Sequence, residues 1–292
     1  MEFYNLAHSS NFISVKKILV GMDFSNGALN AFNYAVDVAK SCESQIILLW
    51  VESNSSEKLI PGEKNEFRHE SKLELEKIIS DNKKRYPQLN ISFKQKKGKV
   101  YKEFASVVLA NDVGLAIIGT HGIGGFEEFW VGSNAYKIIS YCPCPVISVR
   151  TDYKKGGNIK KIVLPIDDSI DTTKKVPMAA QLAKELNADI EVLGIYESNL
   201  PSLKRKTDHY LSETKQYLSD KNIIPIISIC KSNNISTSIV KYAEKNEADL
   251  MVIMTDQNKA TSDIIMGIRS QQIINRSPIP VLSVKPFKME VK

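Results

Sequence analysis

The sequence is marked first by what it lacks. No apolar run approaches the roughly 18 residues needed to cross a bilayer, so no membrane partner is expected. The opening residues, MEFYNLAHSSNFISVKK, have no basic start followed by an apolar stretch, and no secretory signal is read there. Cysteine occurs four times in 292 residues, which makes no disulfide framework and points to a reducing cytoplasmic setting. The four histidines, His8, His69, His121 and His209, are dispersed and fit no metal-ligand spacing. No nucleophile elbow and no Walker-type G-K-[ST] run occurs. Excess charge of one sign is small, since 39 Lys plus Arg against 33 Asp plus Glu leave +6. The densest basic cluster, Lys94, Lys96, Lys97 and Lys99, has no aromatic ring interleaved, which argues against a nucleic-acid platform. It reads as a solvated loop, with attraction of a phosphate-bearing ligand as the alternative.

What is present is a chain of ordinary globular composition, 43% apolar and 25% charged, whose length suggests two domains. The chain also repeats itself. KKILVGMDFS (16–25) matches KKIVLPIDDS (160–169) at an offset of 144, and CPCPVISV (142–149) matches SPIPVLSV (277–284) at an offset of 135. The difference, 144 − 135 = 9, assigns nine extra residues to the first copy, expected in the polar stretch 53–64. The copies meet near TDYKKGGN (151–158), giving domains 1–152 and 153–292.

Within each copy short apolar runs alternate with amphipathic stretches. Ile18–Val20, Ile46–Leu49 and Leu115–Ile118 fit strands covered on both faces. Ala28, Ala31, Phe32, Ala35, Val36 and Ala39 recur at helical spacing behind Ser25 or Asn26 as N-cap. The second copy places strands near 162–166, 190–195, 224–229, 250–253 and 281–284. Strand, helix, strand in sequence implies two tandem doubly wound α/β domains of Rossmann-like design. Cys142 and Cys144, flanking Pro143, read as strand-entry cysteines, and Cys42 and Cys230 as packing residues.

The chemistry-bearing motif follows the strand ending at Ile118. In GTHGIGGFEEFWVGSNAYKII (119–139) the spacing is Gly119, two residues, Gly122, nine residues, Gly132, Ser133. Absent Cβ atoms let backbone approach a ligand, and a helix beginning at Ser133-Asn134 offers free N–H groups and partial positive charge to an anion. These parts form a cradle for phosphate oxygens.

This pattern resembles the nucleotide-binding signature of the universal stress protein family, in its ATP-binding branch, and the resemblance extends over both copies. It implies five parallel strands per domain and a ligand crevice between the first and fourth, where a doubly wound sheet also binds ligands on physical grounds. It places Asp23 at the base and ribose end of the nucleotide, Val51 in the adenine pocket, and Gly98 beside the base. Ile118 and Gly119 would pass the ribose. Gly122, Gly132, Ser133 and Asn134 would hold phosphates, with His121 placed to reach one. Gly21 departs from the proline common at that position in the family.

The second copy has lost the cradle: Gly98, Gly119, Gly122 and Ser133 correspond to Asn233, Met254, Gln257 and Ile268, while Gly267 and Asp167 remain. Two readings follow. The first is an ATP-binding stress-response module whose loaded first domain regulates stability or partner binding. The alternative is a slow Mg²⁺-dependent ATPase or nucleotidyl-transferring enzyme. The resemblance also implies that the two halves pair through their last strands as an intramolecular pseudo-dimer, with homodimer formation left open.

Overall fold

The computed structural model describes residues 15–52, 61–120, 132–156, 158–255 and 266–285, with side chains from residue 66 onward in the second segment. The described residues form two compact units that divide between Asp152 and Tyr153. Among the described residues the first unit runs β1 (Lys17–Gly21), α1 (Asn26–Cys42), β2 (Gln45–Glu52), α2 (Pro61–Arg85), β3 (Ile91–Lys97), α3 (Val100–Ala110), β4 (Leu115–Thr120), α4 (Ser133–Tyr141) and β5 (Val146–Arg150). The strands are parallel in the order β3-β2-β1-β4-β5. The central strand explains itself: Ile18, Leu19 and Val20 are fully shielded from water, as a strand covered on both faces requires.

Helix α1 starts because Ser25 is extended and its hydroxyl accepts from the Ala28 N–H at 3.2 Å. It ends where Glu43 turns left-handed at φ 51°. Its buried stripe is rich in alanine, including Ala28, Ala31, Ala35 and Ala39, so the helix lies close against the sheet. Helix α2 packs over β2 and β3, where Phe67 lies 5.5 Å from the buried Trp50 ring.

The second unit repeats this order: β6 (Lys161–Ile166), a 3₁₀ turn (Ile170–Lys175), α5 (Val176–Leu186), β7 (Asp189–Tyr196), α6 (Pro201–Asp220), β8 (Ile226–Lys231), α7 (Ile235–Lys245), β9 (Leu250–Met254), α8 (Ile268–Arg276) and β10 (Val281–Val284). Its parallel strands stand in the order β8-β7-β6-β9-β10. Two of its left-handed turns are duplicated to the residue. Left-handed Glu43 and Asn187 share the offset of 144, and left-handed Asp112 and Glu247 share the offset of 135.

Three expectations need correction. The cluster of Lys94, Lys96 and Lys97 belongs to strand β3 rather than a loop, and Lys99 is the N-cap of α3. These lysines flank a sheet edge and hinder its pairing with other strands. Strand β8 begins at Ile226 rather than 224, because Pro225 has no N–H to enter a ladder. Of the nine extra residues, only four lie between strand and helix, with eight residues from Glu52 to Pro61 against four from Tyr196 to Pro201. The other five lengthen the helix, 25 residues in α2 against 20 in α6.

The first helix of the repeat also differs. Pro177 sits where an α-helix running on from Ser169 would need its N–H to bond the Thr173 carbonyl, so the chain winds as 3₁₀ until Lys175 and restarts as α at Val176.

Candidate functional site

In the first unit β1 connects outward to β2 on one side while β4 lies on its other side, so the switch in strand order falls between β1 and β4. In doubly wound sheets ligands bind at the carboxyl ends of the strands beside such a switch. Asp23, just past β1, is exposed, and its Oδ1 accepts from the Ser25 N–H at 3.0 Å and from the Ser25 hydroxyl at 2.5 Å. One serine thus caps α1 and orients the carboxylate. Phe24 between them is held at φ 62°, a left-handed conformation that costs a non-glycine residue on the order of 1–2 kcal/mol. Such strain concentrates where a turn must aim particular groups.

On the flank, Val51 is half-buried near the end of β2 and pairs in register with Lys96 of β3. Gly98 closes β3: its N–H donates to the Glu52 carbonyl at 3.0 Å, and its φ of 146° is one that only glycine adopts readily. The Glu52 carboxylate is itself buried, with the Lys97 ammonium 3.8 Å away.

At the end of β4, Ile118 is buried and Gly119 half-buried. A Cβ on Gly119 would stand 2.3 Å from the Gly27 carbonyl carbon and 2.4 Å from its oxygen. The bare Cα of Gly119 therefore lets β4 touch the first turn of α1, a packing role that sequence reasoning missed. Thr120 ends the strand, its carbonyl accepting the N–H and hydroxyl of Thr151 at 3.0 and 2.9 Å.

Helix α4 begins on the same rim. Its N-cap is Gly132, extended at φ −48°, ψ 142°, with no side-chain cap. Ser133 and Asn134 are exposed in the first turn, whose leading N–H groups have no intrahelical partner. The described residues thus bring Asp23, Val51, Gly98, Ile118, Gly119, Gly132, Ser133 and Asn134 to the carboxyl rim of one sheet. His121 and Gly122 lie outside the described residues.

In the second unit the Asx turn survives: Asp167 Oδ1 accepts from the Ser169 N–H at 3.0 Å, and Ser169 caps the 3₁₀ turn. The α8 N-cap, Gly267 at φ −59°, ψ 149°, also matches Gly132. The remainder has changed. Met254 is buried where Gly119 stands, and Ile268 is 74% exposed where Ser133 stands. Lys175 is buried at the Ala31 position, its ammonium donating to the Thr172 carbonyl and hydroxyl, both at 2.9 Å. Arg269, at the Asn134 position, donates to both carboxylate oxygens of Glu197 at 2.8 and 2.9 Å. Glu197 follows β7 and α8 follows β9, and these strands flank β6, so this pair spans the carboxyl end of β6. Gln257 lies outside the described residues.

Other chemistry is sparse. Among the described residues no group of three or more His, Cys, Asp or Glu side chains could hold a metal, and no helix is long and apolar enough to cross a membrane. The Cys142 and Cys144 sulfurs are both buried and lie 3.5 Å apart.

The duplicated fold agrees with comparison to known proteins. The model of the universal stress protein family matches residues 14–150 and again 158–285. The chain belongs to the universal stress protein family. A putative universal stress protein of Staphylococcus epidermidis is 33% identical over 148 residues, covering 48% of this chain and 87% of that protein. One from Staphylococcus aureus is 29% identical over 147 residues, covering 48% and 87%. Among solved structures, a universal stress protein from Archaeoglobus fulgidus superposes with a TM-score of 0.73 at 15% identity over 93% of this chain and 98% of that one. A putative universal stress protein from Pseudomonas aeruginosa gives 0.66 at 16% identity over 95% of each chain. Both share the tandem universal stress protein fold.

Proposed function

We propose that this universal stress protein holds one ATP per chain, in the first unit, and that occupancy regulates the stability of that unit or its binding of partners. The observation that carries the reading is the uncapped start of α4. Gly132, Ser133 and Asn134 present helix-terminal N–H groups on the same sheet rim as the Ser25-oriented Asp23. Phosphate oxygens suit those amides and the positive end of the helix dipole, with Gly122 and His121 of the loop completing the contact. Asp23 receives the ribose hydroxyls, and Val51, Gly98 and Ile118 border the base. Gly119 serves the site by seating α1 so that the Asp23–Ser25 turn faces the crevice. Mg²⁺ accompanies the triphosphate by neutralising its charge.

The second unit supports a stoichiometry of one. Met254 fills space, Ile268 replaces a hydroxyl, and the Arg269–Glu197 pair bars the crevice.

Binding to the folded state alone stabilises by about 2.7 kcal/mol at a hundredfold excess over Kd. For a unit of this size that raises Tm by about 5–11 °C. Mass spectrometry of the native protein should find adenine nucleotide near one per chain, and titration should raise the melting temperature. Two equivalent nucleotides, or no thermal response to any adenine nucleotide, would overturn the proposal. Product analysis with and without Mg²⁺ tests the ATPase alternative.

A further inference from the structure

The two outer strands at the β3 and β8 ends of the sheets are opposites. On β3, Lys94, Lys96 and Lys97 guard the edge and α2 packs over the strand. Strand β8, IISICK, makes its main contacts with β7 alone among the described elements and carries a single charge, Lys231, at its end. Ile226, Ile227 and Ile229 are 55%, 39% and 60% exposed, and Ile224 just before them is 93% exposed. Soluble proteins shield sheet edges with lysine, proline or a covering element, because open strand edges pair with other chains. This edge has Pro225 at its start and nothing comparable along its length.

We propose that β8 is a homodimerisation edge, joining antiparallel to β8 of a second copy about a two-fold axis through Ser228. Three features select that occupant. Successive strand residues alternate faces, so Ile227 and Ile229 lie on one face and Ile226 on the other. A helix laid on one face would leave the opposite set wet, whereas a strand added at the edge supplies cross-strand neighbours to both.

The strand is also complementary to itself. With Ser228 opposite Ser228, Ile227 meets Ile229 twice and Ile226 meets Cys230 twice. Lys231 falls beside Pro225, outside the ladder, so no lysine opposes another. A shift of one residue in either direction breaks this match, setting Lys231 against Ile226 or Ile224. Two-fold pairing of one patch with itself is the usual route to a dimer.

The area suffices as well. The four isoleucines expose about two and a half whole residues' worth of surface, on the scale of the roughly 300–600 Å² of the largest patch on a monomer. Two such patches reach the roughly 1,000 Å² at which a specific interface becomes credible.

The test uses the full chain in sedimentation equilibrium across roughly 1–100 μM, which reads a micromolar Kd. The wild type should pass from monomer to dimer. The double variant Ile227→Lys, Ile229→Lys should remain monomeric, with circular dichroism unchanged and a melting temperature that matches the wild type only at dilutions where the wild type is itself monomeric. A second measurement fixes the register: Ser228→Cys in a Cys230→Ser background should form a disulfide-linked dimer under mild oxidation. Directly opposed antiparallel residues place their Cα atoms about 4.5–5.5 Å apart, within disulfide reach. A wild type that stays monomeric, a lysine variant that still dimerises, or a Ser228→Cys variant that fails to cross-link would each overturn the proposal. So would a monomeric chain whose β8 edge is occupied by a different polypeptide.

Discussion

Replacing Gly119 by alanine tests whether β4 and α1 touch as closely as the structure requires. The added Cβ would lie 2.3 Å from the Gly27 carbonyl carbon, 2.4 Å from its oxygen and 2.7 Å from the Ala28 nitrogen. Ordinary contact at such atoms needs about 3.4–4 Å, so the start of α1 must withdraw by roughly 1 Å. All three obstructing atoms are backbone, and no rotamer change relieves them. Overpacking costs about 1–3 kcal/mol where side chains can adjust, and this site belongs at the upper end. A loss of about 3 kcal/mol in a unit of this size lowers Tm by about 6–12 °C. In a Trp130→Phe background, fluorescence of the buried Trp50 on β2 reads the first unit specifically. Gly27→Ala provides the contrast: its Cβ meets the Thr151 hydroxyl at 2.8 Å, the tip of a rotatable side chain, and alanine favours a helix. Gly27→Ala should stay within about 1 kcal/mol of wild type. Should Gly119→Ala melt with the parent protein, the close seating of α1 on β4 is wrong.

Other outcomes follow from the same geometry. Ser25→Ala removes the α1 cap and releases Asp23, which should lower urea stability by about 1 kcal/mol and weaken ATP binding in calorimetry. The Tyr196 hydroxyl is pushed up to about 12 by burial and by its hydrogen bond to Asp208. Its neutral form is favoured by folding, so its stabilisation is complete below the unfolded value of 10.0 and fades as pH climbs toward 12. Tyr196→Phe should therefore flatten the alkaline loss of second-unit stability in denaturant titrations between those values. Arg269→Ala opens an exposed ion pair worth at most about 1 kcal/mol, and calorimetry should still count a single nucleotide because Met254 and Ile268 remain.

The elements legible in the sequence are those whose signal is local. Ile18–Val20 can only be a covered strand, and the alanine stripe behind Ser25 can only be a helix lying close on a sheet. The degeneration of the second copy is equally plain from Met254 and Ile268. Contacts between distant residues are hidden. Gly27 and Gly119 depend on one another across 92 positions (119 − 27), yet the repeat holds a clue, since both are replaced together, by Asp171 and Met254. Pro177 announces the break in the second copy's first helix but competes with a strong helical pattern around it. Glu197 and Arg269 meet only because β7 and β9 flank β6, which no local pattern reveals. The lysines of β3 resemble a loop because an edge strand is polar for the same reason a loop is: water reaches it.

Duplication kept two helix endings of this chain at matching positions in both copies. Glu43, Asn187, Asp112 and Glu247 hold left-handed turns that glycine would adopt without steric cost. Four such junctions, each occupied by a bulkier residue, mean the fold tolerates local discomfort in both lobes. A protein built this way has thermal headroom that natural selection has left unused.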